Sequence, residues 1–151
     1  MQFSNIKKCI VVNATALDNS GALTILRQFL DYAARYSEKK FICFVPVGIF
    51  FEEVPSHIVL IPKDTKRWAT RIYWDAYGLR AELNRLGISP DRLISLQNTS
   101  VNVDCNQVIY LHQPLPFVDY RFSPLKRAEF KAYLYSKFYL IFVKLFLNDN
   151  S

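Results

Sequence analysis

The chain has 151 residues, with 19 Lys and Arg against 13 Asp and Glu for a formal charge of +6, and 51% of it is hydrophobic. That length holds one domain with a real core, and the apolar content excludes a disordered chain. Only 4 glycines rule out collagen-like and Gly/Ser-rich classes. The basic balance, with a pI near 9.3, admits nucleic acid, an anionic membrane face or a phosphorylated substrate as partner.

Residues 9–12 form an apolar, β-branched run closed by Asn13, the pattern of a strand buried on both faces. The basic pair before it precedes too short an apolar run for a signal peptide. A loop rich in turn and cap residues follows over 14–21, and Ser20 is the N-cap candidate of a helix from about 21 to 36. Leu23, Leu26, Leu30 and Ala33 share one face of it, widened by Ile25 and Phe29. Residues 41–45 repeat the buried-strand pattern up to Pro46, and 58–61 make a shorter run ending at Pro62. Trp68, Ile72, Ala76, Leu79, Leu83 and Leu86 recur at helical spacing, an amphipathic helix closed by Gly87. Residues 93–96 and 108–111 are short strands on either side of a polar loop over 97–106. Strands alternating with helices predict an α/β fold, a Rossmann-like parallel sheet flanked by helices.

From about 124 to 147 the chain reads as one helix, with Ser123 as its cap. Residues 134–147 are nearly all apolar or aromatic, interrupted by Ser136, Lys137 and Lys144. Lys126, Lys137 and Lys144 fall within about 20° of one another on a helical wheel. Two readings stand: a helix buried against the sheet with one lysine seam in water, or a helix lying in a membrane surface. A spanning helix does not fit, since two lysines break a run shorter than the roughly 20 residues required. From Arg121 onward, Arg121, Lys126, Arg127, Lys131, Lys137 and Lys144 face only Glu129 and Asp149, so much of the positive charge gathers here.

Open α/β sheets bind ligands at the carboxyl ends of their strands, so the loops there are the candidate sites. The loop before the first helix ends at a helix N-terminus, whose free N–H groups favour an anion. It is neither a G-x-G-x-x-G fingerprint nor a P-loop, which disfavours a dinucleotide. His112 follows a buried strand and precedes two prolines. There it can meet a substrate with a hydrogen bond or a positive charge, or be hydrogen-bonded to loop backbone. The amides and hydroxyls of Gln97, Asn98, Thr99 and Ser100 can bind sugar hydroxyls or satisfy a turn. His57 reads as solvated, as do Glu52 and Glu53, and Lys66, Arg67, Arg71, Arg80 and Arg85 as a charged outer face. Cys9, Cys43 and Cys105 are dispersed, with no zinc spacing; Cys9 and Cys43 read as buried thiols, and the set suggests a reducing, cytoplasmic compartment. The two histidines form no metal motif, and no G-x-S-x-G elbow is present.

In order, VNATALDNSGALTILRQFL, RIYWDAYGL, LISLQNTS and QVIYLHQPLPF resemble the N-terminal half of family 4 glycosyltransferases, retaining nucleotide-sugar enzymes with a GT-B fold, and look like the bacterial enzymes of surface-polysaccharide assembly. The resemblance covers most of residues 10–117. It implies transfer of a sugar, without a metal or other cofactor, from a nucleotide-sugar donor to a glycan or lipid-linked acceptor. His112 is similar to the family histidine beside the transferred sugar. Asn19, Ser20 and Gly21 resemble the first-strand loop that approaches the donor diphosphate, although Gly21 is the only glycine left of the family's glycine-rich loop. Gln97, Asn98, Thr99 and Gln113 would line the acceptor side.

The family's donor-site basic pair and E-x7-E motif belong to a second domain, and Glu52 with Glu53 does not supply that motif. The expectation is therefore an N-terminal acceptor-side domain over 1–123, closed by a terminal helix over 124–151 of the same domain. The donor-binding domain is absent, and the chain alone is expected to be inactive. The expected location is cytoplasmic, with the inner face of the membrane as a further partner and nucleic acid excluded. The alternative is a non-catalytic carbohydrate-binding half or partner subunit at the membrane periphery.

Overall fold

The computed structural model describes residues 9–51, 53–112 and 119–147. Five strands, β1 (Cys9–Asn13), β2 (Lys40–Pro46), β3 (Ile58–Lys63), β4 (Arg92–Ser95) and β5 (Asn106–Ile109), form one sheet in the order β3-β2-β1-β4-β5. Every pairing is parallel, and β1 registers Asn13 against Phe44 of β2 and against Ser95 of β4. The architecture is the α/β, Rossmann-like parallel sheet that the alternation of elements predicts. The connection from β1 goes to β2 on one side, whereas β4 lies on the other. The crevice between the carboxyl ends of β1 and β4 is thus the topological switch point, where ligands of such sheets bind.

The period-2 pattern of the strands distributes the core to both faces. Val12, Phe41, Cys43 and Val45 pack with Leu26, Leu30 and Ala33 of α1 (Ser20–Ala33). Val11, Ile42, Phe44 and Leu93 face the other way, against Trp74, Leu79, Leu83 and Ile88. Each large apolar side chain so buried contributes about 1.5–3 kcal/mol. The Cys9 and Cys43 thiols lie in this core, and burial pushes them up to about 11 and about 12, where they stay protonated and unreactive.

Several boundaries differ from expectation. Asn19, not Ser20, is the N-cap of α1, with extended backbone and no side-chain cap bond, and the helix stops at Ala33. Strand β3 continues through Pro62, which an edge strand tolerates because its missing N–H faces no neighbour. His57 is half-buried rather than solvated: its Nε2 lies 3.2 Å from the Ala33 carbonyl and its ring beside Phe41. Strand β5 is the other edge and stops at Ile109; Val108, Tyr110 and Leu111 are exposed, so His112 does not follow a buried strand.

The amphipathic helix expected from Trp68 is interrupted. Helix α2 (Trp68–Tyr73) passes through a π turn, Trp74–Gly78, into α3 (Leu79–Leu86). The inserted residue rotates the two halves relative to each other, so Leu79 and Leu83 are buried while Trp68 and Ile72 are exposed. Gly87 closes α3 in the left-handed conformation, with its N–H bonded to the Asn84 carbonyl and that of Ile88 to Leu83.

The terminal helix, α4, is Phe130–Lys144, shorter than expected. Ser123 caps a preceding turn instead: its N–H donates to Glu129 Oε2 at 2.9 Å, and its hydroxyl accepts from Leu125 N. The carboxyl end of α4 docks through Ser100, whose hydroxyl donates to the Phe142 carbonyl and accepts from Phe146 N, both at 3.0 Å. Val143 is buried there. Phe130, Leu134, Phe138, Ile141 and Leu145, one stripe at helical spacing, remain exposed, so the fully buried helix is not what forms. Among the described residues no helix is long and apolar enough to cross a membrane.

Candidate functional site

At the switch point, Asn13 at the end of β1 and Gln97 just past β4 are buried and both hydrogen-bonded to Asp75 of the π turn, while the buried Ser95 hydroxyl at the end of β4 has no partner. Asn13 ends β1, where its Nδ2 donates to Asp75 Oδ1 at 3.1 Å and its Oδ1 accepts from the Trp74 indole N–H at 3.0 Å. Gln97 Nε2 donates to the same Asp75 oxygen at 3.0 Å, and the Thr99 hydroxyl donates to Oδ2 at 2.9 Å. The Gln97 carbonyl oxygen accepts from Ala16 N and from the Thr15 hydroxyl, which in turn accepts from Thr65. Asp75 therefore ties the end of β1 and the loop after β4 to the π turn, and Gln97 adds the loop after β1. Gly78 allows that turn: a Cβ on it would sit 2.8 Å from Trp74 Cε3.

Burial pushes the Asp75 carboxyl up to about 6, because a charged group loses more to desolvation than its donors return. The bonds from Thr99 and Asn13, then the charge of Arg71 and the bond from Gln97, act in the opposite direction.

Above this network lies a cavity of about 160 Å³, lined by Gln97, Asn98, Thr99, His112 and Arg71 on its polar side. Trp68 and Phe142, packed edge to face with centroids 6.0 Å apart, contribute aromatic wall. Asn98 adopts φ 62°, a left-handed conformation that asparagine tolerates better than most residues. Its Oδ1 accepts the His112 backbone N–H at 2.7 Å, which turns its amide nitrogen toward the imidazole. His112 Nε2 lies 2.9 Å from the Leu96 carbonyl and 3.1 Å from the Asn98 amide nitrogen, so loop groups hold the ring at this atom. The imidazole is thus both fixed by loop backbone and part of the cavity wall.

Of the residues singled out in the sequence, Gln97, Asn98, Thr99 and His112 meet at this cavity. Gln97 has both halves of its amide engaged within the fold, so it positions the two loops. Asn19 is exposed, its Nδ2 bonded to Asp18, and Gly21 has open space around it. The cavity is reached from that segment through Ala16, Leu17 and Ala22 instead. Gln113 lies outside the described residues, as do Glu52, Pro114 and Pro116; Glu53 is exposed.

Sequence reasoning missed Arg71, Asp75, Trp74 and Asn13. Arg71 is half-buried at the cavity, unlike the exposed Lys66, Arg67, Arg80 and Arg85 with which it was grouped. A signal existed for two of them. On a regular helical wheel Asp75 falls inside the apolar stripe and Trp74 opposite it, an arrangement that only a buried acid and a break in helical register reconcile. Among the described residues no three of His, Cys, Asp and Glu gather as a metal site. The chain matches no protein-family model, no curated protein and no solved structure.

Proposed function

We propose that this chain is the acceptor-side, N-terminal GT-B domain of a retaining glycosyltransferase, which moves a sugar from a nucleotide-sugar donor to a glycan or lipid-linked acceptor. Bacterial surface-polysaccharide synthesis in the cytoplasm is the setting we infer. One observation carries the reading: two segments that the family resemblance singled out, Gln97–Asn98–Thr99 and His112, line one cavity at the switch point of the sheet.

The chemistry asked of this domain is positioning. Asn98 and Leu96 hold the imidazole of His112 in one orientation, so it can meet the transferred sugar without first being ordered. Thr99 donates to Asp75 and keeps lone pairs able to accept a sugar hydroxyl. The backbone at the start of α1, over Asn19, Ser20 and Gly21, offers N–H groups to the departing diphosphate. Nucleotide selection and the family's remaining donor contacts belong to a donor-binding domain.

Replacing His112 by Ala in the enzyme carrying both domains is expected to lower kcat at least about tenfold at unchanged donor affinity. Wild-type transfer by that variant would remove His112 from the mechanism. Glycan binding without transfer from any nucleotide sugar would favour the alternative, a non-catalytic carbohydrate-binding half or partner subunit.

A membrane-peripheral role has its own support. The exposed stripe of α4 is flanked by the exposed Lys131 on one side and Lys137 and Lys144 on the other, the arrangement in which apolar side chains enter the acyl boundary and lysines reach anionic headgroups.

A further inference from the structure

Arg71 sits in α2 at the wall of the cavity and also borders a smaller apolar cavity beside Phe142 and Phe146. Its Nε is buried with no hydrogen-bond partner, and among the described residues the guanidinium makes no ion pair. The nearest acid in sequence is Asp75, one turn on. Asp75 accepts from Asn13 and Gln97 at Oδ1 and from Thr99 at Oδ2, and Arg71 acts on it through its charge without being bonded to it.

A guanidinium cannot shed its proton, and the buried Nε–H of Arg71 is left without the partner that a buried donor ordinarily has. Among the described residues no carboxylate lines the larger cavity, whose other polar groups are amides, a hydroxyl and the His112 imidazole. Its volume far exceeds the roughly 10–15 Å³ that admits one water. The planar donor fork of arginine binds an oxyanion in two parallel bonds, and the chemistry of this lining fits one.

We propose that the cavity takes an acidic sugar, one bearing a phosphate or a carboxylate, with Arg71 as its anion-binding residue and the Trp68–Phe142 edge as the wall for the adjoining ring. This deepens the acceptor-side reading and rests on it for the identity of the ligand as acceptor; the need for an anion rests on Arg71 alone.

The test is titration of the 151-residue chain with glucose 1-phosphate, glucuronate, inorganic phosphate and glucose, followed by calorimetry or amide chemical shifts. The two acidic sugars should bind at least about tenfold more tightly than glucose, and Arg71→Gln should bring them to the level of glucose. Their ranking tells phosphate from carboxylate, and equal binding of inorganic phosphate would show that the sugar ring adds nothing and overturn the acidic-sugar assignment. Arg67→Gln, an exposed arginine of the same region, should change nothing. Arg71→Gln should also unfold at a urea concentration close to that of the wild type, because among the described residues the guanidinium makes no ion pair and its buried Nε has no partner. Glucose binding as tightly as the acidic sugars, undiminished binding by Arg71→Gln, or no binding of either acidic sugar would overturn the proposal. Transfer from a nucleotide sugar onto an uncharged acceptor alone would also overturn it while leaving the glycosyltransferase reading intact. Arg71-dependent binding of acidic sugars without transfer in the two-domain enzyme would do the reverse.

Discussion

Asn13 and Asp75 lie 62 residues apart, and the amide of the first donates to the carboxylate of the second at 3.1 Å. The bond joins the end of the central strand to a π turn in the helix that packs beneath it. Gln97 and Thr99 from the loop after β4 converge on the same carboxylate.

Asp75 makes stability depend on pH in an unusual direction for a carboxylate. Its folded value is raised from 3.8 to about 6, so between those values the folded chain holds the proton more tightly than the unfolded one. Its stabilising contribution is complete below about pH 4 and is lost as pH rises through about 6. Asp75→Asn carries no such proton, and its amide can keep accepting from Asn13 and Gln97 while donating to Thr99. Urea denaturation at pH 4 and pH 7 should show the variant gaining on the wild type by on the order of 3 kcal/mol at the higher pH. A pH-independent difference would mean that the carboxylate is ionised throughout.

Gly78→Ala separates packing from propensity. Alanine is the better helix former by about 1 kcal/mol, and Gly78 has ordinary helical φ. The added methyl would meet Trp74, whose ring is held by Asn13 and packed 5.3 Å from Phe44. The clash should win, destabilising the chain by about 1–3 kcal/mol and altering its tryptophan fluorescence. A stabilised variant would show that the π turn relaxes freely.

At Asn98 the left-handed backbone and the amide contacts to His112 can be told apart. Asn98→Gly keeps the conformation and loses the contacts, whereas Asn98→Ala loses both. Alanine should therefore be the less stable of the two by about 1 kcal/mol in urea melts, with the His112 imidazole resonances shifted in both variants. Equal stabilities would place no strain at this residue.

The stripe on α4 can be tested without touching the core. Phe138→Glu with Ile141→Glu alters two exposed positions and should leave the urea midpoint nearly unchanged, while lowering sedimentation with phosphatidylglycerol vesicles several-fold. Neutral phosphatidylcholine vesicles should bind the wild type more weakly. Unchanged sedimentation of the double variant would exclude the stripe as the lipid contact.

Much of this protein was determined by its sequence alone. Buried-strand runs at residues 9–12 and 41–45 specify central strands because both faces of a parallel sheet must be apolar, and the α/β architecture follows from their alternation with helical stripes. Polar residues just past the strands marked Gln97, Asn98, Thr99 and His112, since such loops border the crevice in any open sheet. Only the tertiary structure decided which of them share a cavity, and that Asp75 and Arg71 join them. A regular 3.6-residue period puts Trp74 opposite the apolar stripe, and the π turn is what brings it into the core together with Asp75. Whether an arginine is solvated or faces a cavity depends on what packs beside it from far along the chain, here Phe142 near the end of α4. The same holds for α4 itself, whose composition fits a buried helix and a surface helix equally, and which its docking through Ser100 leaves with one apolar stripe facing outward.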